Sequence, residues 1–274
     1  MTFKNILVHV PAEPSSAQAV EVALALAQRF DARLIGVGAE TYDVGLLASS
    51  PYADGGLVQA LRDQVETDLT AAGTRFRTLA APLGAKVAWM SEFDFPGNVL
   101  PVFGRCADLV VALRPGPLQS SLTAMRPADL VLQAGLPVLL APEGAAPLQA
   151  RTVVIGWKDT RESRRALSDA LPFLIEAKKV VVVGVSGAGE AGVAKAGLAQ
   201  VAERLTYHGV VAETLEAARG HDTVAEVLER TAERLDADLI VVGAYGRSRL
   251  REWAFGGVTE ELMTASSKYV LFSR

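Results

Sequence analysis

Runs of four or five consecutive apolar residues, most of them β-branched, recur along this chain, and stretches with apolar residues at every third or fourth position follow them. The first pattern reads as a strand buried on both faces, the second as an amphipathic helix. In the second half the pattern predicts strands at Val153–Trp157, Val180–Val185, Val210–Glu216, Leu239–Val242 and Tyr269–Phe272. Helices are expected between them, over Glu162–Ile175, Gly192–His208, Asp222–Leu235 and Val258–Ala265. The third helix would turn Val224, Val227, Leu228, Thr231 and Leu235 to one face. Alternation of this kind gives an α/β fold, a mainly parallel sheet with helices on both faces. Such sheets take their ligands beyond the carboxyl ends of the strands.

The pattern occurs twice. "KNILVHVPAEPSSAQAVEVALALA" from Lys4 has a counterpart in "RTVVIGWKDTRESRRALSDALPFL" from Arg151. "ADLVVALRP" from Ala107 returns as "ADLIVVGAYG" from Ala237, and "GLPVLLAP" from Gly135 as "SKYVLFSR" from Ser267. Landmarks that recur in one order point to two copies of a single unit. The expected domains are 1–143 and 150–274, joined by the Pro-, Gly- and Ala-rich "APEGAAPLQA" at 141–150. The final strands "PVLLAP" and "YVLFSR" are apolar, and their edges need cover. The expectation is that they meet, making the chain an internal pseudo-dimer.

Composition narrows the picture. The 274 residues are comfortable for two domains, and 50% hydrophobic with 21% charged is ordinary for a folded chain. No apolar run approaches the ~18 residues of a membrane span, and the N-terminus enters a strand-like run where a signal peptide would have its apolar core. The single cysteine, Cys106, precedes an apolar run and is expected to be a buried thiol. These features favour the cytoplasm. A net charge of −4 argues against nucleic acid as a partner. His9, His208 and His221 fall in a strand, a helix end and a loop, with no metal-ligand spacing. No nucleophile–base set can be argued, so no catalytic residue is assigned.

One segment carries candidate chemistry. Gly243 and Gly246 follow a buried strand, and nine residues later Gly256-Gly257-Val258-Thr259 opens a helix. Glycine lets backbone approach a ligand closely, and a helix N-terminus offers free N–H groups to an anion. Thr259 adds a hydroxyl, and Arg247, Arg249 and Arg251 lie between the glycine pairs. Neither a Walker loop nor the dinucleotide fingerprint is present. The residues leave two readings open: a nucleotide phosphate cradle, or a glycine-shaped turn with solvated arginines.

The spacing Gly243-x-x-Gly246, nine residues, Gly256-Gly257 resembles the ATP motif of the universal stress protein family, and the order of elements extends the resemblance over nearly the whole chain. The chain is similar to the tandem members. The resemblance implies five-stranded domains of the adenine nucleotide alpha hydrolase type that pair through their last strands. It implies a role in stress survival, with ATP (and Mg²⁺) bound in some members. It also implies that Lys158, Val185, Gly243, Gly246, Arg247, Gly256, Gly257, Val258 and Thr259 contact an adenine nucleotide. Two positions depart from the pattern. Gly257 replaces the hydroxyl residue after the third glycine, and Lys158 stands where ATP binders carry Asp. In the first half "AMRP" (Ala124–Pro127) falls opposite the glycine pair and Pro11 opposite Lys158, so that copy is expected to be degenerate. A protein-interaction scaffold and a slow ATP hydrolase stand as alternatives, and a homodimer of the tandem chain is a further expectation.

Overall fold

The structure is a computed structural model that describes residues 2–12, 17–42, 55–114, 126–187, 193–245 and 257–274. It forms two compact units, Phe3–Ala134 and Gly135–Arg274.

In the first unit the sheet order is β3-β2-β1-β4, all parallel. The strands are β1 (Asn5–His9), β2 (Arg33–Glu40), β3 (Val87–Phe93) and β4 (Leu109–Leu113). Ile6, Leu7 and Val8 of β1 are fully buried, as a central strand covered on both faces requires. The helices are α1 (Ala17–Arg29), α2 (Gly55–Ala80), α3 (Pro96–Gly104) and α4 (Pro127–Gln133). One carboxylate fixes the start of the sheet: Asp108 accepts the backbone N–H groups of Lys4 and Asn5, each at 2.8 Å. The repeat reproduces the device, with Asp238 accepting from Arg151 and Thr152, each at 3.1 Å. The recurring Ala-Asp-Leu is therefore a clamp on the amino end of the central strand. Cys106 departs from expectation. It lies after the end of α3 and is exposed, because the burial begins with Ala107 and β4.

The second unit has the order β5-β10-β9-β6-β7-β8. Its strands are β5 (Val138–Ala141), β6 (Thr152–Trp157), β7 (Lys179–Ser186), β8 (Ala212–Ala218), β9 (Leu239–Gly243) and β10 (Tyr269–Ser273). Its helices are α5 (Arg161–Glu176), α6 (Val193–Thr206), α7 (Val224–Arg234) and α8 (Gly257–Ala265). Helices cover both faces: a side chain on Gly156 of β6 would strike Leu228 of α7, and one on Gly184 of β7 would meet Leu198 of α6. Successive strand positions face opposite ways and Gly184 pairs with Trp157, so these two helices lie on opposite sides.

The last strands of the two repeats do meet. β5 and β10 pair antiparallel, Val138 opposite Phe272 and Leu140 opposite Val270, with all four residues fully buried. That pairing brings β5, a first-half strand by the repeat, into the second compact unit. The Tyr269 hydroxyl donates to the Ala146 carbonyl at 2.7 Å and ties down the Pro- and Ala-rich connection. Burial pushes its pKa up to about 12, helped by the nearby Asp238 carboxylate.

Two boundaries moved. β8 starts at Ala212, two residues beyond the expected Val210. Gly209 adopts φ of 78° and Val210 donates back to Leu205 at 3.0 Å, so α6 ends in a left-handed cap that uses up Val210. On α7 the buried stripe is Ala225, Val227, Leu228, Thr231 and Ala232, drawing in two alanines and leaving Val224 and Leu235 half-buried. The capping box of Thr223 and Glu226 fixes its start.

His9, at the end of β1, is 8% exposed and its Nε2 has no hydrogen-bond partner among the described residues. Burial lowers its pKa from 6.5 to about 4. Between those values the unfolded chain binds the proton and the folded chain does not, so stability falls as pH drops from 6.5 towards 4 and levels off below. The gap corresponds to about 3 kcal/mol. A His9→Phe variant should lose less stability over this window than the parent, as measured by urea unfolding at a series of pH values. Parallel pH dependences in the two proteins would count against a neutral, buried His9.

Candidate functional site

The candidate residues gather at the carboxyl ends of β6, β7 and β9. β9 ends at Gly243, and a Cβ there would lie 2.5 Å from the Ser163 backbone nitrogen and 2.6 Å from the Glu162 carbonyl carbon. No side chain fits such a gap. The first turn of α5 therefore requires this glycine, a packing cause beside the ligand contact that the family resemblance implies. Beyond it, Ala244 donates to the Ser273 carbonyl at 2.7 Å. Tyr245 turns left-handed, with φ of 53°, and its hydroxyl reaches the Met263 sulfur of α8 at 3.8 Å. Gly246, Arg247 and Gly256 lie outside the described residues, as do Arg249 and Arg251.

The chain is described again from Gly257, the first residue of α8. Gly257 contrasts with Gly243. Its φ is not in the left-handed region, and the nearest atom to an added Cβ among the described residues is Glu261 Oε1, at 3.7 Å. Internal packing gives no reason for glycine here. Val258 is half-buried and Thr259 is 7% exposed. The Thr259 hydroxyl has no partner among the described residues, whereas Thr264 in the same helix bonds back to the Glu260 carbonyl at 2.8 Å. The first turn of α8 thus holds free N–H groups and an unused hydroxyl. Glu260 lies in the first turn and is exposed. Glu261 Oε2 accepts from Thr223 Oγ1 of the α7 cap at 2.6 Å, while its Oε1 stays on the Gly257 side.

Lys158 follows β6 directly and is exposed. Its backbone is held on both sides: the carbonyl accepts from Thr160 N at 2.7 Å and the N–H donates to Ser163 Oγ at 3.4 Å. Its ammonium has no partner among the described residues. The nearby acids are taken. Asp159 pairs with Arg164 at 2.6 Å, and buried Glu162 pairs with Arg161. Burial works against the Glu162 charge, but the Arg161 hydrogen bond and its own backbone N–H hold its carboxyl below the usual range. Val185, near the end of β7, is half-exposed in a strand otherwise buried from Val180 to Val183. It offers an apolar seat beside Lys158. Lys158, Val185 and Gly243 thus stand at the carboxyl ends of the neighbouring strands β6, β7 and β9, and Gly257, Val258 and Thr259 open α8. Sequence reasoning missed Thr223 and Glu261, whose pairing joins residues 38 apart.

In the first half, Ala124 lies outside the described residues, while Arg126 and Pro127 open α4. Pro127 removes one N–H from that helix start, and Asp129 pairs with Arg126 at 2.7 Å. The long connection at 40–57 is largely outside the described residues, and α2 begins at its end with Gly55.

Residues 149–274 match the model of the universal stress protein family. No curated protein matches the chain. Among solved structures, a universal stress protein from Archaeoglobus fulgidus DSM 4304 aligns with a TM-score of 0.76 at 13% identity, covering 98% of each chain. A putative universal stress protein from Pseudomonas aeruginosa UCBPP-PA14 aligns with a TM-score of 0.66 at 16% identity, over 99% of this chain and 93% of the other. A functionally unknown protein from Pseudomonas aeruginosa PAO1 gives 0.62 at 16% identity, over 99% and 92%. The second half is a universal stress protein domain, and the tandem fold of such proteins extends along the chain.

The two described glycines should behave differently when filled. Gly243→Ala forces α5 away from β9 and should cost about 1–3 kcal/mol, the usual range for overpacking. Gly257→Ala makes only an ordinary contact with Glu261 Oε1 at 3.7 Å and relieves a helical glycine, so stability should stay level or rise by up to about 1 kcal/mol. Urea unfolding of both variants checks the contrast, and equal losses would contradict it.

Proposed function

We propose that the universal stress protein domain at 149–274 binds ATP or a related adenine nucleotide, and that the chain acts in stress survival as a nucleotide-dependent regulator. The observation that carries this reading is the first turn of α8. It combines a glycine whose added Cβ would make only an ordinary contact among the described residues, a largely buried threonine whose hydroxyl has no partner among them, and a helix N-terminus with free N–H groups. In this reading phosphate lies against Gly257, Val258 and Thr259, with Gly246 and Gly256 giving backbone room and Arg247 supplying charge. The base rests on Val185. Mg²⁺ would accompany a triphosphate. No residue is assigned to bond cleavage, so hydrolysis would be weak at most. The first half, with Pro127 and Arg126 at the matching helix start, serves as a structural partner.

A second reading has its own support. Gly243 is explained by its contact with α5, which favours a scaffold whose glycines only shape turns. Mass spectrometry of ligands released from freshly purified protein separates the two. An adenine nucleotide supports binding, an empty protein supports the scaffold, and steady phosphate release from added ATP would point to the hydrolase.

Calorimetric titration should give at most one nucleotide site per chain, and two equivalent sites would contradict the degenerate first half. Gly257→Val should weaken binding by at least about tenfold while barely moving the melting temperature, since its side chain enters the phosphate space. Arg247→Ala should weaken binding by roughly ten- to a hundredfold if its charge is desolvated by the ligand. Unchanged affinity in Gly257→Val would defeat the phosphate reading.

A further inference from the structure

We propose that the second-half site is built for an adenine nucleotide carrying an additional phosphate on its ribose, with Lys158 as the specificity-determining residue. This rests on the nucleotide reading above and deepens it. The strand order fixes the layout. β9, β6, β7 and β8 are consecutive neighbours, with Val242 opposite Gly156, Trp157 opposite Gly184 and Val185 opposite Ala217. Adjacent strands lie about 4.8 Å apart. A nucleotide with its 5′-phosphate at the start of α8, which follows β9, and its base on Val185 of β7 must cross two strand spacings, roughly 10 Å. Its ribose then lies over the end of β6, where Lys158 stands.

The chemistry at that point is one-sided. A lysine ammonium has three donors and no acceptor, so it contributes charge where a ribose hydroxyl offers little to match it. A phosphate on the 2′ or 3′ oxygen supplies the matching charge, and hydrogen bonds between ionised groups are the stronger kind. Lys158 is exposed with no partner among the described residues, and the carboxylates of Asp159 and Glu162 are held by arginines. The α5 cap holds its backbone in place, so the ammonium is tethered near the proposed ribose. A second cation flanks Val185 on its other side. Arg219, just past the end of β8, donates its backbone N–H to the Ser186 carbonyl at 3.0 Å. It is exposed, and its guanidinium has no partner among the described residues.

The test compares AMP, adenosine 2′,5′-bisphosphate and adenosine 3′,5′-bisphosphate by titration calorimetry on the full chain, with Lys158→Asp and Lys158→Gln alongside. At least one bisphosphate should bind the parent about tenfold or more tightly than AMP. Both variants should erase that preference, so that AMP and the two bisphosphates bind with affinities within about threefold of one another. Lys158 is exposed, so thermal melts should show both variants folded. Equal binding of AMP and both bisphosphates by the parent would overturn the proposal and leave the nucleotide reading standing. A preference that survives both substitutions would overturn the assignment to Lys158. No binding of any of the three, with ATP also silent, would overturn both readings together.

Discussion

At Gly243 a strand end and a helix start approach so closely that backbone meets backbone. A Cβ would come within 2.5 Å of the Ser163 nitrogen, so β9 and the first turn of α5 behave as one rigid piece. Much at the candidate site follows from this contact. Ser163, held there, accepts the Lys158 N–H and sets the exit of β6. Ala244 is then free to pair with the end of β10, and Tyr245 turns over to reach Met263 of α8. The carboxyl ends of β6 and β9 are thus tied to the first turn of α5, and a side-chain contact from Tyr245 reaches the later part of α8. Precision of this kind suits a binding edge.

The alternation of strands and helices could be read from the chain because parallel strands buried on both faces leave an unmistakable apolar run. The meeting of β5 and β10 followed from the same logic, since two apolar final strands need partners. What could not be read was local chemistry that has no period. Asp108 and Asp238 clamp strand starts through their carboxylates, a role that resembles any solvated acid in the sequence. Gly209 capped α6 and displaced the start of β8, because a left-handed residue ends a helix without changing the hydrophobic pattern. Cys106 was misjudged because an apolar run downstream says nothing about the turn before it.

The candidate site was partly readable for a similar reason. Glycine spacing marked the right place but could not separate glycines by cause. Gly243 is demanded by packing within the fold, whereas Gly257 is not, and only the surroundings of each Cβ distinguish them. The Thr223–Glu261 pair joins two helices and had no local signature at all.

The two halves share a fold but treat the corresponding helix start in opposite ways. In α4 the first residue is proline, which lacks an N–H, and the acid of the first turn, Asp129, stays there in a pair with Arg126. In α8 the first residue keeps its N–H, the first-turn acid Glu260 is exposed, and the Thr259 hydroxyl has no partner among the described residues. The central strands differ in step with this. His9 fills with a neutral imidazole the position that Gly156 leaves to Leu228 and Val242. One repeat thus fills this position with a ring that resists protonation and the other with aliphatic side chains from α7 and β9.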